Sequence, residues 1–100
     1  MDAWIELSPS PEAKSGSLIP YDQRLPDPVK KLFELARQTI DQAAGSAQWD
    51  LAIRIDSEQC DDLMHHGIFG SVYHHELGDE YCAFVSYEGK SYKVALFITK

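Results

Sequence analysis

One hundred residues, 44% of them hydrophobic and 11% aromatic, suffice for one modest domain and are too apolar for a disordered chain. Sixteen acids against nine bases leave a net charge of −7, which argues against the basic face that a nucleic-acid binder needs. No uncharged run approaches the ~20 apolar residues that span a bilayer, and Asp2 and Glu6 stand where a signal peptide would carry bases. A soluble cytoplasmic protein is expected, with no membrane association.

Residues 1–27 read as an arm. Within it, Trp4-Ile5-Glu6-Leu7 suits a short edge strand or an anchoring segment. From Ser8 to Asp27, Pro9, Pro11, Gly16, Pro20 and Pro26 forbid a helix or a long strand, so a loop wraps the domain, anchored by Leu18, Ile19 and Tyr21.

A helix follows over residues 28–44. Asp27 is placed to cap it, Pro28 suits its first position, and Gly45 is the expected stop. Val29, Leu32, Phe33, Ala36, Ile40 and Ala43 recur as one helical stripe, while Lys30–Glu34 and Arg37–Asp41 are spaced as i,i+4 pairs on the opposite side.

The stripe needs a sheet, and residues 49–99 supply one. Trp49, Leu51, Ile53 and Ile55 alternate with polar or small residues as a half-buried strand. Ser57 is placed to cap a short helix over residues 58–66, with Gly67 as its terminator. Strands are expected over 68–77, 80–87 and 90–100, joined by turns at Gly78-Asp79 and Glu88-Gly89. The fold class is therefore α+β in two layers: an antiparallel sheet of four or five strands, with one main helix on one face.

The hairpin registers assign the faces. A two-residue turn at Glu88-Gly89 pairs Tyr87 with Lys90, Val85 with Tyr92 and Ala83 with Val94. Tyr81, Ala83, Val85, Tyr92, Val94, Leu96 and Ile98 then form the floor under the helix, joined by Ile68, Val72 and His74. The opposite face receives Phe69, Tyr73, His75, Leu77, Cys82, Phe84 and Phe97, which is more apolar than a solvent-facing sheet surface should be. Cover by the small helix and the N-terminal arm is expected; the other reading is an exposed patch that binds a partner.

Charge is segregated along the chain. Residues 50–88 hold nine acids and one base, Arg54, whereas the last eleven residues hold three lysines and no acid. An acidic segment of this kind either keeps a protein soluble or steers it onto a basic partner. On the second reading Asp56, Glu58, Asp61, Asp62, Glu76, Asp79 and Glu80, with Tyr73, His75 and Phe84 from the second sheet face, make a composite partner-binding site.

Chemistry is harder to find. Cys60, His65, His75 and Cys82 carry zinc-ligand atoms, and His75 would face Cys82 across the expected register, but their spacing matches no zinc pattern. No nucleophile elbow, phosphate loop or dinucleotide fingerprint is present, and nearby acids disfavour a reactive thiolate. The sequence therefore implies a non-enzymatic protein without cofactor that occludes a basic partner protein. Immunity proteins, antitoxin-like factors and phage-encoded inhibitors of bacterial defence are of this kind. A small metal-dependent enzyme or metal-binding protein on the Cys/His cluster is one alternative. A homodimeric structural module using the free sheet face or the Trp4 edge is the other.

Overall fold

The computed structural model describes residues 2–10, 18–21, 25–42 and 51–99, with 39–42 defined by their backbone alone. In chain order the elements are β1 (Ala3–Pro9), β2 (Ile19–Pro20), α1 (Asp27–Gln42), β3 (Leu51–Ile55), α2 (Ser57–His66), β4 (Ser71–His75), β5 (Gly78–Tyr87) and β6 (Lys90–Thr99). The fold is α+β, but its sheet has six strands and is mixed, not an antiparallel sheet of four or five. The order is β2-β5-β6-β1-β3, with β4 sharing the outer edge of β5. There β4 pairs with Gly78–Cys82, and β2 runs parallel to Val85 and Ser86 farther along. Residues 11–17 of the expected loop, with Trp49, Asp50 and Lys100, lie outside the described residues.

The segment around Trp4–Leu7 is an interior strand, neither an edge strand nor an anchoring segment. Ile5 of β1 lies opposite Leu96 on one side and Ile53 on the other. Ala3, Ile5 and Leu7 alternate with Trp4, Glu6 and Ser8, and the first set is buried. That alternation completes a core that β3 and β6 would otherwise leave divided.

Helix α1 buries Val29, Leu32, Phe33 and Ala36 against the sheet. Full burial of a Leu or Phe side chain is worth about 1.5–3 kcal/mol. The Pro26 carbonyl accepts from the backbone N–H of Val29 and Lys30, at 3.0 and 3.1 Å. The cap therefore falls one residue earlier than expected, and Asp27 sits inside the first turn, where its charge faces the positive helix end. The Ile40 and Asp41 side chains and Ala43, Ala44 and Gly45 lie outside the described residues.

Helix α2 is also capped one residue early. Asp56, not Ser57, accepts from the Gln59 N–H at 2.8 Å, and the Gln59 side chain takes the Asp56 N–H at 3.1 Å. This reciprocal box needs an acceptor and an amide three apart, which positions 56 and 59 provide. Gly67 ends the helix as expected, in the left-handed conformation at φ 76°. Cys60 and Leu63 point into the same core as α1, so both helices cover one face. The chain thus leaves the β3 edge, crosses over the sheet as α2, and lands on the opposite edge as β4.

The last hairpin has the expected register, with Tyr87 opposite Lys90 and Ala83 opposite Val94. Glu88 and Gly89 both take positive φ, 50° and 77°, the backbone that matches strand twist in a two-residue hairpin. Arg37 of α1 pairs with the Glu88 carboxylate, and its guanidinium lies 5.8 Å from the Tyr87 ring centre. Beneath it Phe33, Tyr21, Tyr87 and Tyr92 form an aromatic cluster with ring centres 4.7–6.4 Å apart.

The β4–β5 turn is at Glu76-Leu77, not Gly78-Asp79, so His75 lies opposite Gly78 and not Cys82. The partner of His75 moves by four residues. An even shift leaves every β4 side chain on its expected face. Gly78 is instead the first residue of β5, where a Cβ would run into the Ile98 carbonyl and sit 2.9 Å from the Thr99 Cα. The glycine is required inside the strand, where β5 and β6 approach closely. Phe69 lies before β4 begins and so escapes the alternation. It packs on the core side, 6.4 Å from the Tyr81 ring.

Candidate binding site on the open sheet face

The cross-strand registers lay out the face opposite the helices in rows. One row runs Arg54, Trp4, Phe97, Glu80, Tyr73; the next runs Ala52, Glu6, Ala95, Cys82, Ser71. Among the described residues no element lies over this face. The described residues do not supply the expected cover: the apolar side of α2 is claimed by the core of α1, residues 3–9 are inside the sheet, and positions 11–17 and 22–24 of the arm lie outside the described residues.

Trp4 and Phe97 stack with ring centres 5.3 Å apart and planes 13° from parallel. The Trp4 ring is oriented by its Nε1–H, which donates to Glu6 Oε1 at 3.1 Å. Beside the stack, where Gly78 contributes no side chain, a pocket of about 220 Å³ opens between Trp4, Phe97, Ile98, Leu77 and His75. Leu77 at the turn is 81% exposed and Tyr73 is 55% exposed, both large apolar side chains left in water.

One edge of the pocket is a charged network. Glu80 is 8% exposed and takes Lys93 Nζ at 2.9 Å, His75 Nε2 at 3.0 Å and the Cys82 thiol at 3.1 Å. Burial alone would raise its pKa, but hydrogen bonds from Lys93, Cys82 and His75 outweigh burial and hold the carboxyl at about 2. Burial and the Glu80 carboxylate push the Cys82 thiol up to about 11, and the bond to Glu80 raises the Lys93 ammonium. At neutral pH Glu80 is therefore ionised, while Cys82 and Lys93 keep their protons. Such a network fixes side-chain positions and supplies no activated nucleophile.

The composite site read from the sequence separates into two patches. Tyr73, His75, Glu80 and Phe84 lie on the open face. Glu58, Asp61 and Asp62 are exposed on α2, which lies against the other face. Asp56 is engaged as a cap, Asp79 is bonded to His74 at 2.9 Å, and Glu76 is exposed in the turn. Glu80 is not a steering charge, because it is buried and paired.

The four zinc-ligand candidates do not converge. Cys60 is in the core under the helices, whereas Cys82 is on the open face; both are free thiols. Burial and Asp61 raise the Cys60 thiol, and His65 Nδ1 is bonded to the Asp61 carbonyl at 2.8 Å. Among the described residues no group of three His, Cys, Asp or Glu side chains is arranged to hold a metal ion.

The sequence points to Trp4 only as the edge of a self-associating module, and to Lys93 not at all. Trp4 joins the face only once β1 is an interior strand, and the alternation Ala3, Ile5, Leu7 carried that signal. Among the described residues no helix is long and apolar enough to cross a membrane. Comparisons with protein-family models, curated proteins and solved structures give no match.

Proposed function

We propose that this chain is a non-enzymatic binding protein that occludes a partner protein, docking it on the open sheet face. The observation that carries the reading is the Trp4–Phe97 stack beside an apolar pocket on a face that no described element covers. Buried aromatic anchors in a water-excluding surround supply most of the energy of protein interfaces. The exposed acids of α2 add a long-range field that favours a basic partner, within the net charge of −7. Immunity proteins, antitoxin-like factors and phage-encoded inhibitors of bacterial defence act in this manner, and two free buried thiols suit a reducing cytoplasm.

The test is affinity capture from the native host, followed by binding kinetics against the captured partner. Phe97→Ala should speed dissociation at least about tenfold. Asp61→Lys with Asp62→Lys should slow association and flatten its salt dependence. A folded Phe97→Ala variant that dissociates like wild type removes the sheet face from the interface. Unchanged association of the double lysine variant at low salt would reduce the acids of α2 to a solubility role.

A further inference from the structure

We propose that β4 pairs with β4 of a second copy of this chain, antiparallel about a two-fold axis at Tyr73, fusing two sheets into one. This goes beyond the docking reading and does not rest on it. All five residues of β4 are exposed, and among the described residues the strand pairs only with β5. A sheet edge offers a row of unmade backbone hydrogen bonds, which proteins ordinarily guard with charge, proline or cover. The opposite edge strand, β3, follows that rule, since its Arg54 side chain is 82% exposed. In contrast, Ser71-Val72-Tyr73-His74-His75 has no Lys, Arg, Asp, Glu or Pro.

The occupant follows from self-complementarity. With Tyr73 opposite its own copy, Val72 meets His74 and Ser71 meets His75. One step beyond, Glu76 meets Gly70, so no acid opposes an acid although each copy carries a net charge of −7. A partner of the same charge can approach along this strand because the strand itself carries no Lys, Arg, Asp or Glu. The two-fold also stands perpendicular to the sheet, so both Tyr73 side chains lie on the open face. The Trp4, Phe97, Glu80, Tyr73 row then continues into the second copy. An interface of five paired residues is small, so a weak dimer in the micromolar range or above is expected.

Sedimentation of the wild-type chain from micromolar to millimolar concentration reads the mass. Mass should rise with concentration, and more steeply at high salt, where repulsion between two acidic copies is screened. Tyr73→Lys puts two ammonium groups on the axis and should weaken association at least about tenfold while leaving circular dichroism and melting unchanged. Directly opposed residues of an antiparallel pair have Cα atoms ~4.5–5.5 Å apart, within disulfide reach. Tyr73→Cys should therefore form a covalent dimer on mild oxidation, and Arg54→Cys at the exposed β3 edge should not. A wild-type monomer at millimolar concentration and high salt overturns the proposal. So does equal cross-linking by the two cysteine variants, or a dimer that survives Tyr73→Lys but is lost in Phe97→Ala.

Discussion

The same strands make both faces of this sheet, yet the faces hold their residues differently. On the covered face Ile5, Leu7, Val85, Val94 and Leu96 lose all contact with water against Val29, Leu32, Phe33, Cys60 and Leu63. On the open face the buried residues are small or paired: Ala95, Cys82 and the bonded Glu80. Its large side chains, Trp4, Phe84 and Phe97, are half-buried, and Tyr73 is exposed. The difference separates two jobs. One face carries the stability of the fold, and the other is left able to lose its aromatics without unfolding.

Chemical denaturation puts the largest number on this division. Phe33→Ala should cost about 3–5 kcal/mol, a large part of the total stability of a domain this size. Phe97→Ala, on the open face, should cost clearly less. Equal losses would mean that the open face is also core.

Acid is the next probe, and it reads the one buried charge among the described residues of the open face. Glu80 is held at about 2 against an ordinary 4.5, so it stabilises the fold above pH 4.5. That contribution, up to about 3 kcal/mol, is lost as pH falls from 4.5 towards 2. Glu80→Gln should be less stable than wild type at neutral pH and should converge with it as pH falls. Parallel curves would show that the Lys93, His75 and Cys82 bonds contribute nothing net.

Smaller effects test the edges of the comparison. Gly89→Ala forces a side chain onto φ 77° and should lower stability by about 1–2 kcal/mol, seen as a lower melting temperature. Asp56→Ala removes the α2 cap and should cost about 1 kcal/mol, whereas Ser57→Ala should shift the urea midpoint little. The reverse ranking would return the cap to Ser57.

Local chemistry explains what was legible in the residues. The α1 stripe, the Glu88-Gly89 turn and the Gly67 stop each depend on residues a few positions apart, and each was readable. Both faces of β4 were correct despite a misplaced turn, because the error in register was even. What failed depended on distant partners. β1 reads as an edge until β3 and β6 are known to flank it, and β2 exists only because β5 leaves room past the end of β4. The composite binding site is divided for the same reason: acids and aromatics close in sequence are parted by a sheet that sends α2 and Tyr73 to opposite sides.

The interior position of β1 also sets the order in which the chain can fold. Ala3 finds its neighbours at Ile55 and Ile98, so the first strand stays unsatisfied until the last one is in place. The β5–β6 hairpin and the two helices have local contacts and can form early. Closing β1 between β6 and β3 carries the entropy of bringing together positions more than ninety residues apart. Folding should then be limited by that closure, on the millisecond-to-second scale of sheets with distant pairings. An Ile5 substitution would then slow folding through that closure, and one at Val85 or Val94 through the hairpin that must be in place first.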